Sequence, residues 1–272
     1  MKLYCPIVPT LGFSESLQTS LDNLCDWSLK WQLPINVDKS FFVTISRNNI
    51  CNCVHSYRIL CSLLTRRFSV DDLGIAYDCN LCFDNYVNNI ASSAKAKVGL
   101  LFRSFKTRDP ALLKRAYVTY IRPKLEYASN LWNPFHKTTI AVLENVQRYF
   151  TRRIPSLSIF SYEERLAMLN LDTLEKRRLK SDLVLYYKIL HGLSSIPASA
   201  FDTYNTCSVS RSKSSLLRKN IAGTQACYFS FFNRAVDCWN VLPSSLTDAS
   251  SLSVFRSRLD MTDLSHYCTV LA

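Results

Sequence analysis

The chain has 272 residues, 48% of them hydrophobic and 20% charged, a balance typical of folded rather than disordered proteins. Only five glycines are present, so we expect few turns with positive φ and mostly helix. The sequence lacks an apolar run of roughly 18 residues and an N-terminal signal-like core, which excludes a membrane-spanning helix and a secreted protein. We therefore expect an intracellular protein, nuclear or cytoplasmic, with no membrane partner.

The net charge of +12 is unevenly distributed along the chain. Residues 1–94 sum to −1, residues 95–192 to +11, and residues 193–272 to +2. A local excess of this sign favours binding to a phosphate backbone. The alternative is that the charge only aids solubility.

The eleven cysteines have no framework spacing, and we interpret them as reduced thiols. Cys51 and Cys53, then Cys79 and Cys82, could supply zinc ligands, with His55 nearby. The first pair is separated by one residue, whereas zinc motifs use roughly two to four. We therefore predict no metal site and no cofactor in this chain.

Residues 1–80 are predicted to form a helix lying on a small antiparallel sheet. Ser14 can cap the helix, and Pro34 stops it. The helix has apolar residues at helical spacing: Leu17, Leu21, Leu24 and Trp31. Short strands are predicted at residues 41–45, 57–60 and 73–77.

Residues 81–192 are predicted to be a helical bundle. The first helix has apolar residues on one side, namely Phe83, Val87, Ile90, Ala94, Val98, Leu101 and Phe105. Lys95, Arg103 and Lys106 lie away from that side. The next helix starts at Asp109-Pro110, as N-cap and first-turn proline, and has Leu113, Ala116, Tyr117 and Tyr120 as its apolar residues.

Two capping boxes follow in quick succession, Ser161 with Glu164 and Asp172 with Glu175. The second opens a long helix that places Lys176, Arg177 and Lys180 on one face.

Residues 120–154 combine apolar periodicity with positive charge. Pro123 kinks or ends one helix. The next helix has a stripe of Leu143, Val146, Phe150 and Ile154, with Arg148 and Arg152 on the opposite face. Such a helix can hold a polyanion from a fixed platform, although a solvated basic face is the simpler interpretation.

The last third of the chain is predicted to contain a linker and a packed extension. Residues 193–225 are serine-rich, include Arg211 and Lys213, and lack periodicity. Residues 226–272 are rich in aromatic side chains, which we expect to pack on the outside of the helical bundle.

Several motifs occur in the order found in one family. They are Ile121-Arg122-Pro123-Lys124-Leu125-Glu126-Tyr127-Ala128, Trp132-Asn133-Pro134, Leu143-Glu144-Asn145-Val146-Gln147-Arg148, Tyr162-Glu163-Glu164-Arg165-Leu166, Leu174-Glu175-Lys176-Arg177-Arg178, Tyr187-Lys188-Ile189-Leu190 and Trp239-Asn240-Val241-Leu242-Pro243. Together they resemble the C-terminal part of reverse transcriptases from non-LTR retrotransposons of the jockey and CR1 type. None of these motifs is a catalytic signature.

The resemblance implies specific roles. Residues 1–4 would follow the catalytic Asp-Asp hairpin, and residues 1–80 would be the end of the palm. Lys39 would be a motif D-like proton donor, and Leu73-Gly74 would belong to a primer grip. Residues 81–192 would be the thumb, which binds the phosphates of an RNA/DNA template-primer duplex. Its nucleic-acid-binding residues would be Lys95, Arg103, Lys106, Arg148, Arg152, Arg153, Lys176, Arg177 and Lys180.

The adjacent carboxylates Asp71 and Asp72 do not match the family's catalytic pair, because no aromatic residue lies two positions before the first. The parent enzyme uses Mg²⁺ in two-metal chemistry. We therefore predict a non-catalytic reverse-transcriptase fragment, inactive alone, that binds template-primer and pairs with the missing N-terminal polymerase portion. The alternative is a helical interaction or structural module without a nucleic-acid role.

Overall fold

The computed structural model describes residues 2–6, 15–45, 56–203, 216–220, 223 and 225–268. Within these ranges the chain is mostly helical with short strands, as the predicted α+β class requires. It divides into two compact units, Met1–Phe83 and Asp84–Ala272. The palm and thumb assignments stay predictions.

Unit 1 contains one α-helix and six short strands in the described residues. They are α1 Glu15–Lys30, β1 Phe41–Phe42, β2 Arg58–Ile59, β3 Ser62–Leu63, β4 Thr65–Arg66, β5 Ser69–Asp72 and β6 Ile75–Asp78. β2 and β3 form an antiparallel hairpin, as do β5 and β6, whereas β1 and β4 pair in parallel.

The predicted single antiparallel sheet is therefore wrong. The described strands form three separate ladders of two strands each. Only Leu64 separates β3 from β4, yet β3 pairs with β2 whereas β4 pairs with β1.

The core of unit 1 lies between α1 and the β2–β3 hairpin. Leu21 and Cys25 of α1 pack with Tyr57, Ile59 and Leu64. The Gln18 side chain accepts a hydrogen bond from the Arg58 backbone N–H at 3.0 Å and donates to its carbonyl at 3.1 Å. The Gln18 amide thus pairs with both backbone groups of Arg58, as a neighbouring strand would.

The predicted helix over residues 14–32 is shorter in the structure. Trp31, the last of the predicted apolar residues at helical spacing, lies beyond the end of the helix and is 61% exposed. The helix ends at Lys30, and Gln32 adopts positive φ, which turns the chain away from the core. Ser14, the predicted cap, lies outside the described residues.

The first part of unit 2 is a bundle of seven helices in the described residues. They are α2 Asp84–Ser104, α3 Pro110–Tyr120, α4 Arg122–Glu126, α5 Ser129–Trp132, α6 Lys137–Arg152, α7 Tyr162–Leu169 and α8 Leu174–Leu190. Five of the seven predicted stripe residues are buried on α2, namely Val87, Ile90, Ala94, Val98 and Leu101. Phe83 and Phe105 lie just outside the helix and are partly buried. Tyr120 is 66% exposed, against prediction, because α3 ends there and α4 starts within two residues.

The helix starts are set by side-chain caps. Asp109 accepts hydrogen bonds from the backbone N–H groups of Ala111 and Leu112, and the Ser161–Glu164 capping box is formed. The second predicted box is wrong, because Thr173 caps α8 by accepting from the Lys176 N–H at 3.1 Å. Asp172 forms ion pairs instead.

The second part of unit 2 packs on α8. Its elements are β7 Asp202–Thr203, β8 Leu217–Arg218, α9 Gln225–Tyr228, α10 Phe231–Arg234, α11 Val236–Val241, α12 Ser244–Thr247 and α13 Leu252–Met261. Trp239 and Phe255 share a core with Tyr186 and Tyr187 of α8. The predicted packing of these aromatic residues on the bundle is confirmed.

The segment 193–225, predicted as a linker, has both of its described ends attached to this core. Phe201 and Leu217 are buried, and β7 pairs with β8. The Asn240 side chain clamps Leu217 by accepting from its N–H at 3.0 Å and donating to its carbonyl at 2.8 Å. Arg211 and Lys213 lie outside the described residues.

None of the helices in the described ranges combines the length and apolar character needed to cross a lipid bilayer.

Candidate nucleic-acid interface

Helix α6 carries the predicted arginines, and its apolar stripe fixes their orientation. Leu143, Val146, Phe150 and Ile154 are all buried, as predicted. The Phe150 ring stacks on Tyr117 of α3, with centroids 4.3 Å apart, and lies 5.9 Å from Phe102 of α2. Phe150 therefore packs α6 against both α2 and α3.

A row of buried polar residues on α6 adds directional contacts that the sequence analysis did not identify. Gln147 accepts a hydrogen bond from the Tyr117 hydroxyl at 3.0 Å and donates to the Tyr162 hydroxyl at 3.1 Å. It also donates to the Asp172 carbonyl at 3.0 Å. Because an unpaired buried amide is costly, these bonds fix α6 against α7 and the start of α8.

Glu144 completes this network. Its carboxylate accepts hydrogen bonds from the Tyr162 hydroxyl and from the Leu174 N–H at the start of α8. Burial raises the pKa of Glu144, while these hydrogen bonds oppose the rise. Burial also raises the pKa of Tyr162, and the nearby Glu144 charge adds to that effect. The only sequence signal was the spacing of Glu144, Gln147 and Thr151 along one helical face.

Four cations on α2 and at the end of α6 form what we call the basic surface, defined by Lys95, Arg148, Arg152 and Arg153. The Arg148 guanidinium lies over the Tyr162 ring at 4.3 Å. Arg153 lies 4.8 Å from the Phe102 centroid and 5.3 Å from that of Tyr149.

Tyr149 connects the two helices at this surface. Lys95 of α2 lies 5.1 Å from the centroid of the Tyr149 ring, and the Tyr149 hydroxyl accepts a 2.7 Å hydrogen bond from Arg153 Nη1. Within the described residues, no carboxylate forms an ion pair with Lys95, Arg148, Arg152 or Arg153. Cation–π contacts hold several of these charges without neutralising them.

Arg165 adds a nearly buried positive charge beside this surface. Its Nε donates to Thr151 Oγ1 at 3.0 Å and its Nη1 to the Phe160 carbonyl at 2.6 Å. Burial lowers the pKa of Arg165, and the neighbouring charges of Arg152 and Arg148 lower it further. Mutual repulsion of these arginines would be relieved by a bound anion.

The predicted cations of α8 have a different environment. Lys176 pairs with Asp172 at 3.2 Å, and Lys180 pairs with Asp172 at 2.8 Å and Asp260 at 2.9 Å. Arg177 pairs with Glu126 of α4. These three cations would have to exchange a carboxylate for a phosphate, and their nucleic-acid role stays a prediction.

Arg103 and Lys106 are both exposed near the end of α2. In the part of the chain that the structure describes, neither forms an ion pair. The contact of Arg103 and Lys106 with nucleic acid stays a prediction.

The remaining predicted site residues lie in unit 1. Lys39 is exposed in a short 3-10 turn, where its backbone N–H donates to Asn36 Oδ1 at 3.0 Å. Leu73 and Gly74 form the tip of the β5–β6 hairpin. The predicted catalytic and primer-grip roles of these residues stay predictions.

The adjacent carboxylates of unit 1 do not converge. Asp71 and Asp72 are consecutive residues of β5, so their side chains point to opposite faces, and Asp72 forms an ion pair with Lys2. Within the described ranges, no group of three His, Cys, Asp or Glu residues is placed to bind a metal ion. Cys51, Cys53 and His55 lie outside these ranges, and the half-buried Cys79 has a free thiol.

Comparison with known proteins gives two informative relatives. An uncharacterized protein of Caenorhabditis elegans is 32% identical over 126 residues, which cover 45% of this chain and 64% of that protein. The RNA-directed DNA polymerase from the mobile element jockey of Drosophila funebris is 25% identical over 144 residues, which cover 52% of this chain and 16% of the polymerase. The chain thus spans less than two thirds of either relative.

No family model matches the chain, and no solved structure matches it. The weak and partial similarity to the jockey polymerase links the chain to retrotransposon reverse transcriptases. The predicted position in the C-terminal part of such an enzyme stays a prediction.

Proposed function

We propose that this protein is a reverse-transcriptase-related polypeptide whose helical unit binds the phosphate backbone of an RNA/DNA template-primer duplex. The basic surface carries this proposal. Its four cations project from two helices that are fixed by buried aromatic and polar contacts, and no carboxylate pairs with them among the described residues. Three of these cations, Lys95, Arg148 and Arg153, are held against aromatic rings, so little of their side-chain freedom would be lost on binding a polyanion.

The proposed contribution is binding and not catalysis. The magnesium ions of the parent reaction need carboxylates that converge on one point, and Asp71 and Asp72 do not fit, since they lie on opposite faces of β5. We propose that the metal ligands of the assembled enzyme belong to the N-terminal polymerase portion, which would be the partner of this chain. Lys39 and the Leu73-Gly74 tip would act there only together with that portion.

The experiment measures affinity for a fluorescent RNA/DNA hybrid duplex by anisotropy at several salt concentrations. With roughly four phosphate contacts, the association constant should fall about 100-fold between ~50 and ~200 mM salt. The triple variant Arg148→Glu, Arg152→Glu, Arg153→Glu should lose at least ~100-fold in affinity and flatten the salt dependence.

A matched control reverses three other cations of unit 2 in the variant Arg115→Glu, Lys137→Glu, Arg256→Glu. All three side chains are exposed, and the change in net charge is the same. The control should lose much less affinity than the triple variant. Equal losses, or binding that is independent of salt, would refute the proposal and favour an interaction module without a nucleic-acid role.

A further inference from the structure

Tyr149 lies between two of the cations on which the proposed function depends. Its half-buried ring faces Lys95 of α2 at 5.1 Å and Arg153 at 5.3 Å. Its hydroxyl accepts the 2.7 Å hydrogen bond from Arg153 Nη1. One side chain therefore restrains cations from two different helices.

These contacts leave both cations able to bind an anion. A guanidinium has five N–H donors and an ammonium has three. Tyr149 accepts one hydrogen bond from Arg153 and contacts Lys95 through the ring face. The tyrosine thus orders the charged groups while most of their donors remain available for phosphate oxygens.

Cations lie over each aromatic ring of this surface, including the half-buried Tyr149 ring, which leaves these rings poorly placed to stack on bases. The Phe102 and Tyr162 side chains are almost fully buried, and guanidinium groups lie over both rings: Arg153 over Phe102 at 4.8 Å and Arg148 over Tyr162 at 4.3 Å. Stacking of a nucleobase needs an accessible ring face. The chemistry offered to a ligand is therefore that of cations alone.

We propose that Tyr149 is a positioning residue that orients Lys95 and Arg153, and that this surface binds the phosphate backbone without contacting bases. The inference rests on the proposed function and adds the residue that organises its cations. A ligand of this surface is a phosphodiester chain whose bases are irrelevant to affinity at the surface.

The test compares Tyr149→Leu, which removes ring and hydroxyl, with Tyr149→Phe, which removes the hydroxyl alone. The probes are an RNA/DNA hybrid duplex, a single-stranded oligonucleotide and an abasic oligonucleotide of the same length. Tyr149→Leu should weaken the binding of all three probes by about tenfold, as expected when ordered cations become mobile. Tyr149→Phe should restore part of that loss because it keeps the ring beneath Lys95.

Two measurements distinguish positioning from direct contact. The slope of affinity against salt should be unchanged in Tyr149→Leu, whereas Arg153→Met should reduce it by about one. In a Lys95→Met, Arg153→Met background, Tyr149→Leu should have little further effect, because the cations it orients are gone. Tyr120→Leu is the control, since Tyr120 is exposed and has no cation–π contact in the described residues.

Three outcomes would overturn the inference. They are an undiminished effect of Tyr149→Leu in the doubly substituted background, much weaker binding of the abasic than of the intact single strand, and a loss of affinity that simply follows a lowered urea midpoint. These outcomes differ from a failure of the proposed function, in which the unmodified protein itself would not bind the hybrid duplex.

Discussion

At the scale of single residues, the polar side chains buried in unit 2 are the least expected feature. Glu144 is 0% exposed, yet it lies on a helix whose neighbouring apolar residues form the core. Its burial is compensated by the hydrogen bonds that it accepts at the start of α8 and from Tyr162. Removing an acceptor with buried donors costs more than the bond contributes, which makes this residue sensitive to substitution.

The raised pKa of Glu144 predicts a pH dependence of stability. Burial raises that pKa above the usual 4.5, so the folded state binds more protons than the unfolded state above about pH 4.5. The contribution of this residue to the free energy of unfolding should be complete below about pH 4.5 and decline as pH rises through the folded pKa. Glu144→Gln, which resembles the protonated form, should therefore gain stability relative to the unmodified protein as pH increases.

The measurement is urea unfolding followed by circular dichroism between about pH 4 and pH 7. Glu163→Gln on α7 is the control, because Glu163 is an exposed glutamate of the same bundle. A difference between Glu144→Gln and the unmodified protein that stays constant with pH would contradict the assignment.

At the scale of elements, the hairpin turns of unit 1 have positive φ at residue types that seldom adopt it, so the sequence does not predict them. Both central residues of the β5–β6 turn, Leu73 and Gly74, have positive φ, as do Leu60 and Cys61 of the β2–β3 turn. Two-residue hairpin turns of this kind favour Asn-Gly because a β-carbon is strained at positive φ. The strain at Leu73 is not offset by packing, since the side chain is 81% exposed.

We expect Leu73→Asn to raise the stability of the hairpin by about 1 kcal/mol, because asparagine tolerates the left-handed conformation better than leucine. Leu73→Ala is the matched control, since it shortens the side chain but keeps the strained β-carbon. Amide hydrogen exchange across the β5–β6 pairs should slow in the asparagine variant and not in the alanine variant. Equal protection in all three proteins would contradict the turn assignment.

At the scale of the whole molecule, unit 2 joins the α2–α8 bundle and the C-terminal helices through α8. One edge of α8 contacts Trp239 and Phe255, and the Tyr187 hydroxyl donates to the Ala249 carbonyl at 2.6 Å. At the start of α8, the Leu174 N–H donates to the Glu144 carboxylate and the Asp172 carbonyl accepts from Gln147, and both of these partners lie on α6. The C-terminal helices pack on α8, and the start of α8 is bonded to α6, which bears Arg148 and Arg152 of the basic surface. The C-terminal helices therefore support this surface, although none of its four cations belongs to them.

Phe255→Ala should lower the free energy of unfolding of unit 2 by about 3–5 kcal/mol, as large-to-small changes at fully buried aromatic residues do. The ring stacks on Tyr187 with centroids 4.5 Å apart. Because unit 2 is one compact unit, hydrogen exchange in α6 should accelerate together with that in α13. Val241→Ala, at an exposed position of α11, should change neither, and unchanged protection of α6 in Phe255→Ala would show that the two parts unfold separately.

Local patterns were enough to predict five helices of unit 2, namely α2, α3, α6, α7 and α8. The buried stripes of α2 and α6, the Asp109 cap and the Ser161–Glu164 box all agree with prediction, because a helix is specified by contacts within a few residues. Strand pairing in unit 1 was not predictable, because two-residue strands carry almost no periodicity. The Thr173 cap was missed since Asp172 and Thr173 are both good capping residues, and the ion pairs of Asp172 decided between them.

By itself, the sequence determined that unit 2 is a cationic helical bundle with arginines opposite the apolar stripe of α6, because helical period and local charge are properties of neighbouring residues. Only the tertiary structure decided which cations are neutralised. Lys176, Arg177 and Lys180 meet carboxylates that are distant in sequence or one turn away, whereas Lys95, Arg148 and Arg153 rest on aromatic rings. The difference depends on which helices pack together, and that is a long-range outcome of folding.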